Sequence, residues 1–72
     1  MNIRVKVDTG EIVVSDQITD WRISYRHSPA VNCLVATDVV TDRKATVSER
    51  SLFLAQAFRK ANERARKLGW KV

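Results

Sequence analysis

The chain has 72 residues, with 13 Lys/Arg against eight Asp/Glu for a formal net charge of +5, and it holds one cysteine and one histidine. That length predicts a single domain over residues 1–72, burying only about 60% of the surface its unfolded form exposes. The composition excludes a multi-domain enzyme, an acidic DNA mimic and an acidic disordered tail; one cysteine excludes an internal disulfide, and one Cys with one His excludes the usual zinc staple.

Residues 1–47 hold four Ile, nine Val and five Thr, whereas residues 48–72 hold one Val and neither of the others. Branching at Cβ suits a pleated strand, so the first part reads as strands and the second as a helix. In chain order, Ile3, Val5 and Val7 alternate with Arg4 and Lys6, which places the apolar set on one face of a first strand. Asp8-Thr9-Gly10-Glu11 supplies a turn, and Ile12-Val13-Val14 returns as the second strand of a hairpin. Ser15-Asp16-Gln17 interrupts the pattern as a loop or a single helical turn.

Trp21-Arg22-Ile23-Ser24-Tyr25-Arg26 reads as a third strand, with Trp21, Ile23 and Tyr25 on the core face. His27-Ser28-Pro29-Ala30 is a connector, because Pro29 cannot donate to a ladder. Val31 to Val40 is apolar on both faces: alternation groups Val31, Cys33, Val35 and Val39 on one side, and Leu34, Ala36 and Val40 on the other. The second set is the candidate protein interface. Thr41-Asp42-Arg43-Lys44 reads as a turn, and Ala45-Thr46-Val47 as a short edge strand.

The helix is expected over residues 48–68, with Ser48 as N-cap, or Thr46 with Glu49 as an earlier capping box. Leu54, Phe58, Ala61, Ala65 and Leu68 form its apolar stripe, widened by Phe53 and Ala57. Gly69 falls at C′, where Trp70 closes a Schellman motif near Ala65, and residues 69–72 are C-cap and tail. The expected fold is α+β: a three- or four-stranded antiparallel sheet with one long C-terminal helix packed across it.

Charge divides with the structure. Residues 1–47 balance six basic against six acidic groups, while residues 48–72 carry seven against two, so the whole excess lies in the helix and tail. Arg59, Lys60, Arg66 and Lys67 flank Glu63 opposite the stripe, with Arg64 nearer the boundary and Lys71 in the tail. Such a face tracks phosphates. As a plain solvated face, it is favoured by the helix dipole and by a Glu63–Lys67 pair at i,i+4. Arg22 and Arg26 add a second basic candidate beside the aromatic strand.

Strands followed by a basic helix resemble, in outline, double-stranded-RNA-binding domains and the small arm-binding domains of phage integrases. Leu52-Phe53-Leu54 replaces the basic cluster that opens the last helix of the former, and no motif assigns a family.

Two glycines, Gly10 and Gly69, permit neither a phosphate loop nor a dinucleotide fingerprint. Cys33 with His27 has the residue types of a nucleophile and base, but Cys33 reads as an inert packing thiol inside an apolar strand and His27 as solvent-exposed in a turn, and the spacing of Asp16 and Asp20 is common in loops. No apolar run exceeds four residues, as at Leu52-Phe53-Leu54-Ala55, against the ~20 of a membrane span. The expectation is a cytoplasmic, non-catalytic binding module with no cofactor and no metal. Its partner is nucleic acid, DNA and RNA not being distinguished, or else a protein. The protein reading covers a subunit, an adaptor, a phage-type inhibitor or a homodimer.

Overall fold

A two-residue pleat governs the N-terminal half. Along β1 (Ile3–Asp8) the half-buried Ile3, Val5 and Val7 alternate with exposed Arg4 and Lys6, as strand geometry requires. The computed structural model describes residues 2–42 and 44–72. Met1, at the head of the alternating segment, and Arg43, in the turn expected before the helix, lie outside the described residues. β1 pairs antiparallel with β2 (Glu11–Asp16), β2 with β3 (Arg22–Ser28) and β3 with β4 (Cys33–Val40). The strand order is therefore the chain order. One helix, α1 (Val47–Lys67), crosses one face of the sheet over β2 and its neighbours β1 and β3. The fold is α+β, a four-stranded antiparallel sheet followed by one C-terminal helix.

Local chemistry explains the connections. Asp8 pairs with Glu11 across a two-residue turn in which Thr9 (φ 47°) and Gly10 (φ 79°) are both left-handed. That backbone twist matches the right-handed twist of the strands. β2 runs on to Asp16 because alternation continues: Ile12, Val14 and Asp16 all point inward and are buried. The Asp16 carboxylate accepts from the backbone N–H of Ile18 at 3.0 Å and of Asn2 at 3.3 Å. It thereby ties the β2–β3 loop to the start of the chain.

Two expectations shift at the fourth strand. Val31 and Asn32 belong to the turn after β3, with Asn32 at φ 50°, so β4 begins at Cys33. A β-bulge then leaves Thr37 without a partner, because Ser24 pairs with Asp38 and the next residue, Tyr25, pairs with Ala36. An inserted residue reverses the phase of alternation. Val39 therefore joins Leu34 and Ala36 on the helix side, and Val40 joins Cys33 and Val35 on the open side. The expected grouping of Leu34, Ala36 and Val40 is corrected on this ground.

The segment Ala45-Thr46-Val47 forms no strand. Thr46 is the N-cap, its hydroxyl oxygen accepting from the Glu49 N–H at 3.1 Å, so the earlier of the two cap positions is used and Ser48 lies inside the helix. At the other end the Trp70 N–H donates to the Ala65 carbonyl at 2.9 Å and the Gly69 N–H to the Arg66 carbonyl at 3.0 Å. This is the Schellman pattern, with Gly69 at φ 83°.

The core is one layer between helix and sheet. Phe53, Ala57, Ala61 and Ala65 are wholly buried on α1, facing Ile12, Val14, Trp21, Ile23, Tyr25 and Leu34. The centre of the stripe is thus the Phe53 row. Leu54 is half-buried, while Phe58 (46% exposed) and Leu68 lie on the helix's exposed flanks. Phe53 meets Trp21 edge-on at 5.6 Å between ring centroids, and Phe58 leans on Tyr25 at 5.9 Å. Burial pushes the Tyr25 phenol up to about 12, so it stays neutral in the core.

Three outcomes follow from these contacts. Gly69→Ala places a Cβ in open space, yet forces an L-residue into the left-handed region, and lowers unfolding free energy by about 1 kcal/mol in urea titration. Ala61→Leu overpacks a wholly buried helix position and costs about 1–3 kcal/mol, whereas Ala55→Leu, on the exposed face, changes stability by under about 0.5 kcal/mol. Burial raises the Asp16 pKa, but its bonds from Ile18, Asn2 and Thr19 outweigh that and hold it below 3.8. A lowered folded-state value stabilises at pH above 3.8 and loses that contribution as pH falls through it. Asp16→Asn therefore destabilises at pH 7 by about 1 kcal/mol and flattens the loss of stability on the acid side of pH 3.8 in acid titration.

Candidate nucleic-acid interface

Seating the Phe53–Ala65 row on the sheet decides which helical side chains face water. Residues three or four apart share a face at 3.6 residues per turn, so the surface opposite the row is formed by Arg59, Lys60, Glu63, Arg66 and Lys67. All five are exposed, as are Arg64 near the last turn and Lys71 in the tail. The six expected cations therefore lie along one end and the outer side of α1. Arg59 and Arg66 are two turns apart, about 10 Å along the axis.

Their pairing differs from expectation. Glu63 reaches back to Lys60, Oε2 to Nζ 3.9 Å, and not forward to Lys67. The Lys60–Glu63 pair is half-exposed and contributes little stability. Among the described residues, no carboxylate lies within 4 Å of the charged groups of Arg59, Arg64, Arg66, Lys67 or Lys71, since the only other ion pair joins Arg26 to Glu11. These cations thus have their donors directed to solvent. Three of them, Arg64, Arg66 and Lys67, occupy the last helical turn, where the negative end of the dipole favours positive charge.

Arg22 and Arg26 do not join this surface. Both extend from the open face of the sheet, on the side away from α1, and Arg26 is held by Glu11 at 3.0 Å. Rows of cross-strand partners place Arg4, Ser15, Arg22 and Val40 together, then Lys6, Val13, Ser24 and Asp38. The open face therefore mixes both signs. Trp21, Ile23 and Tyr25 are buried under the helix, as their alternation implied, and offer no stacking platform.

The residue pairs with catalytic chemistry are kept apart or otherwise engaged. His27 and Cys33 extend from opposite faces of the sheet, because Cys33 pairs with Ser28 and Leu34 with His27. The His27 imidazole stacks on Trp70 at 5.9 Å and its Nε2 lies 2.8 Å from the Lys71 carbonyl oxygen. It thereby fastens the chain's last residues to the end of β3. Asp16 is consumed by its loop, and Asp20, in the left-handed region, donates its N–H to the Asp16 carbonyl. No group of three or more His, Cys, Asp or Glu converges to hold a metal among the described residues. A depression of about 320 Å³ bordered by Arg26, His27, Pro29, Val35 and Thr37 is open and mainly apolar, and its two charged or titratable members are already tied to Glu11 and Lys71.

Of the expected protein-interface residues, Leu34 is 6% exposed and belongs to the core, whereas Ala36 and Val40 are exposed on opposite faces of β4. Sequence reasoning missed Val39, which the bulge brings to the helix side. No helix is long and apolar enough to cross a membrane among the described residues. No protein-family model, no curated protein and no solved structure matches the chain.

Proposed function

We propose that this chain is a non-catalytic binding module that holds nucleic acid through the outer face of α1. The observation that carries the reading is the segregation of charge. The helix and tail hold the whole excess of +5, and the fold turns Arg59, Lys60, Arg66 and Lys67 outward together with one partnered acid, Glu63. Arg64 and Lys71 extend the surface past the helix end. Guanidinium and ammonium groups without carboxylate partners give up little on meeting phosphate, and each contact releases condensed counterions.

The surface carries no aromatic or amide array aimed at base edges, so the module tracks backbone and reads little sequence. DNA and RNA present the same phosphate chemistry to it. Arg22 and Arg26 lie on the far side of the sheet and take no part in a single contact made by the helix.

Titration of fluorescent duplex DNA, duplex RNA and single strands across a salt series tests this reading. Four to six phosphate contacts give a log K against log salt slope of roughly −4 to −5 on duplex DNA. Replacing Arg59, Lys60, Arg66 and Lys67 together by Glu abolishes binding; all four are solvent-facing, so circular dichroism still shows the native fold, with a melting temperature lowered by several degrees because Arg66 and Lys67 lose their favourable place in the last turn. An absence of binding at low salt, or unchanged affinity in the charge-reversed variant, overturns the proposal.

A further inference from the structure

The sheet ends in two unpaired edges, β1 and β4, and they differ in chemistry. Along β1, the exposed positions Arg4, Lys6 and Asp8 are all charged, an arrangement that discourages a further strand. β4 is two residues longer and carries one charged side chain, Asp38. Its valines are exposed on both faces, Val35 at 46%, Val39 at 48% and Val40 at 40%. Phe58, half-exposed, leans on Tyr25, whose partner on β4 is Ala36, so an apolar helix flank lies over the strand next to this edge.

We infer that β4 is a self-association edge, on which a second copy of this chain sets its own β4 antiparallel. The bulge selects the occupant and the register. Val35 and Val40 extend from the open face, Ala36 and Val39 from the helix face, and Thr37 and Asp38 both stand against Ser24. The order of faces from 35 to 40 is therefore two-fold symmetric about the Thr37–Asp38 peptide. Opposed residues of an antiparallel pair must share a face. A second β4 meets that condition with Val35 opposite Val40, Ala36 opposite Val39 and Thr37 opposite Asp38.

A register one residue away mismatches the faces of every pair but the residue that meets its own copy on the axis. One two residues away sets Ala36 against the bulged Thr37, or Asp38 against Val39. In an unbulged strand, residues 35 and 40 would lie on opposite faces and this register would not exist. Bulges commonly protect an edge; this one, placed at the centre of an apolar strand, makes the edge complementary to itself.

The charge distribution permits the approach. The excess cations lie on the outer side of α1, away from the edge, and each Asp38 carboxylate stands opposite a threonine hydroxyl of the second copy. The two-fold axis runs perpendicular to the sheet, so both helices fall on one side of an eight-stranded sheet. Centred over the two β2 strands, they lie about 24 Å apart, five strand spacings of ~4.8 Å. Six paired residues a side span about 20 Å, an interface at the small end of the stable class, so a dimer of roughly micromolar Kd is expected.

Sedimentation of the full chain from ~0.1 μM to ~100 μM, without nucleic acid, tests the inference independently of the proposed function. The expected result is a concentration-dependent dimer that Val39→Lys abolishes while its circular dichroism spectrum stays that of the native fold. Register is read by oxidation. Opposed residues on paired strands lie within disulfide reach, so the C33S/V35C/V40C variant forms a covalent dimer in high yield. C33S/V35C, whose two sulfurs would sit about five residues apart, does not. A monomer throughout the range, a dimer indifferent to Val39→Lys, or equal cross-linking of the two cysteine variants overturns the proposal.

Discussion

The close contact between the Phe53–Ala57–Ala61–Ala65 row and the faces of β2 and β3 is the constraint from which the other features follow. With no disulfide or metal cluster among the described residues, a chain of this size relies on apolar area removed from water and on dense packing. Phe53 supplies bulk where the helix meets Trp21. The three alanines that follow let the helix axis descend toward the sheet, since a methyl group is the whole of each side chain. Burial of Ile12, Val14 and Ile23 depends on that proximity, because the core lies between the sheet and this helix, with Ala45, Trp70 and Val72 packed against it as well.

The same seating fixes the electrostatics. Once one row faces the sheet, the helical period forces Arg59, Lys60, Arg66 and Lys67 to the opposite side. The cations need no partner for stability there, as water solvates them. Asp16 shows the contrary case. It is the one carboxylate taken into the interior, and backbone N–H groups meet it, as burial of a charge requires. Charge at the helix surface is thus available to a ligand, while charge inside the fold is committed to architecture.

Geometry also explains why one edge stays bare. A helix with its side chains is about 10–12 Å across, whereas the outer strands of a four-stranded sheet lie about 14 Å apart before their own side chains are counted. α1 lies over β1, β2 and β3, leaving Ala36 and Val39 exposed on the side where Leu34 alone is buried. The bulge at Thr37 then gives the uncovered strand its symmetry. An unfinished sheet and an outward basic helix are two results of one packing choice.

Much of the fold was legible because it follows from local rules. Alternation located β1, β2 and β3, the Thr9-Gly10 turn closed the first hairpin, and rotamer preferences with Gly69 placed the helix and its end. The concentration of positive charge in the last third was likewise a property of composition and spacing. Other features were decided only by packing. Rows 53/57/61/65 and 54/58/61/65/68 both step by three or four residues as one helix face does, and large side chains drew the expectation toward the second; the sheet selected the first, because small residues suit close packing of helix on sheet. The competition between Thr46 and Ser48 as N-cap was settled by where the connection from β4 delivered the chain. The bulge leaves no mark in the residues, since Ala36-Thr37-Asp38 suits a regular strand, and it arises only from pairing against Ser24. From the sequence came the elements, their order and the net charge; from the tertiary structure came which faces meet, because face selection depends on distances between segments that local preference does not encode.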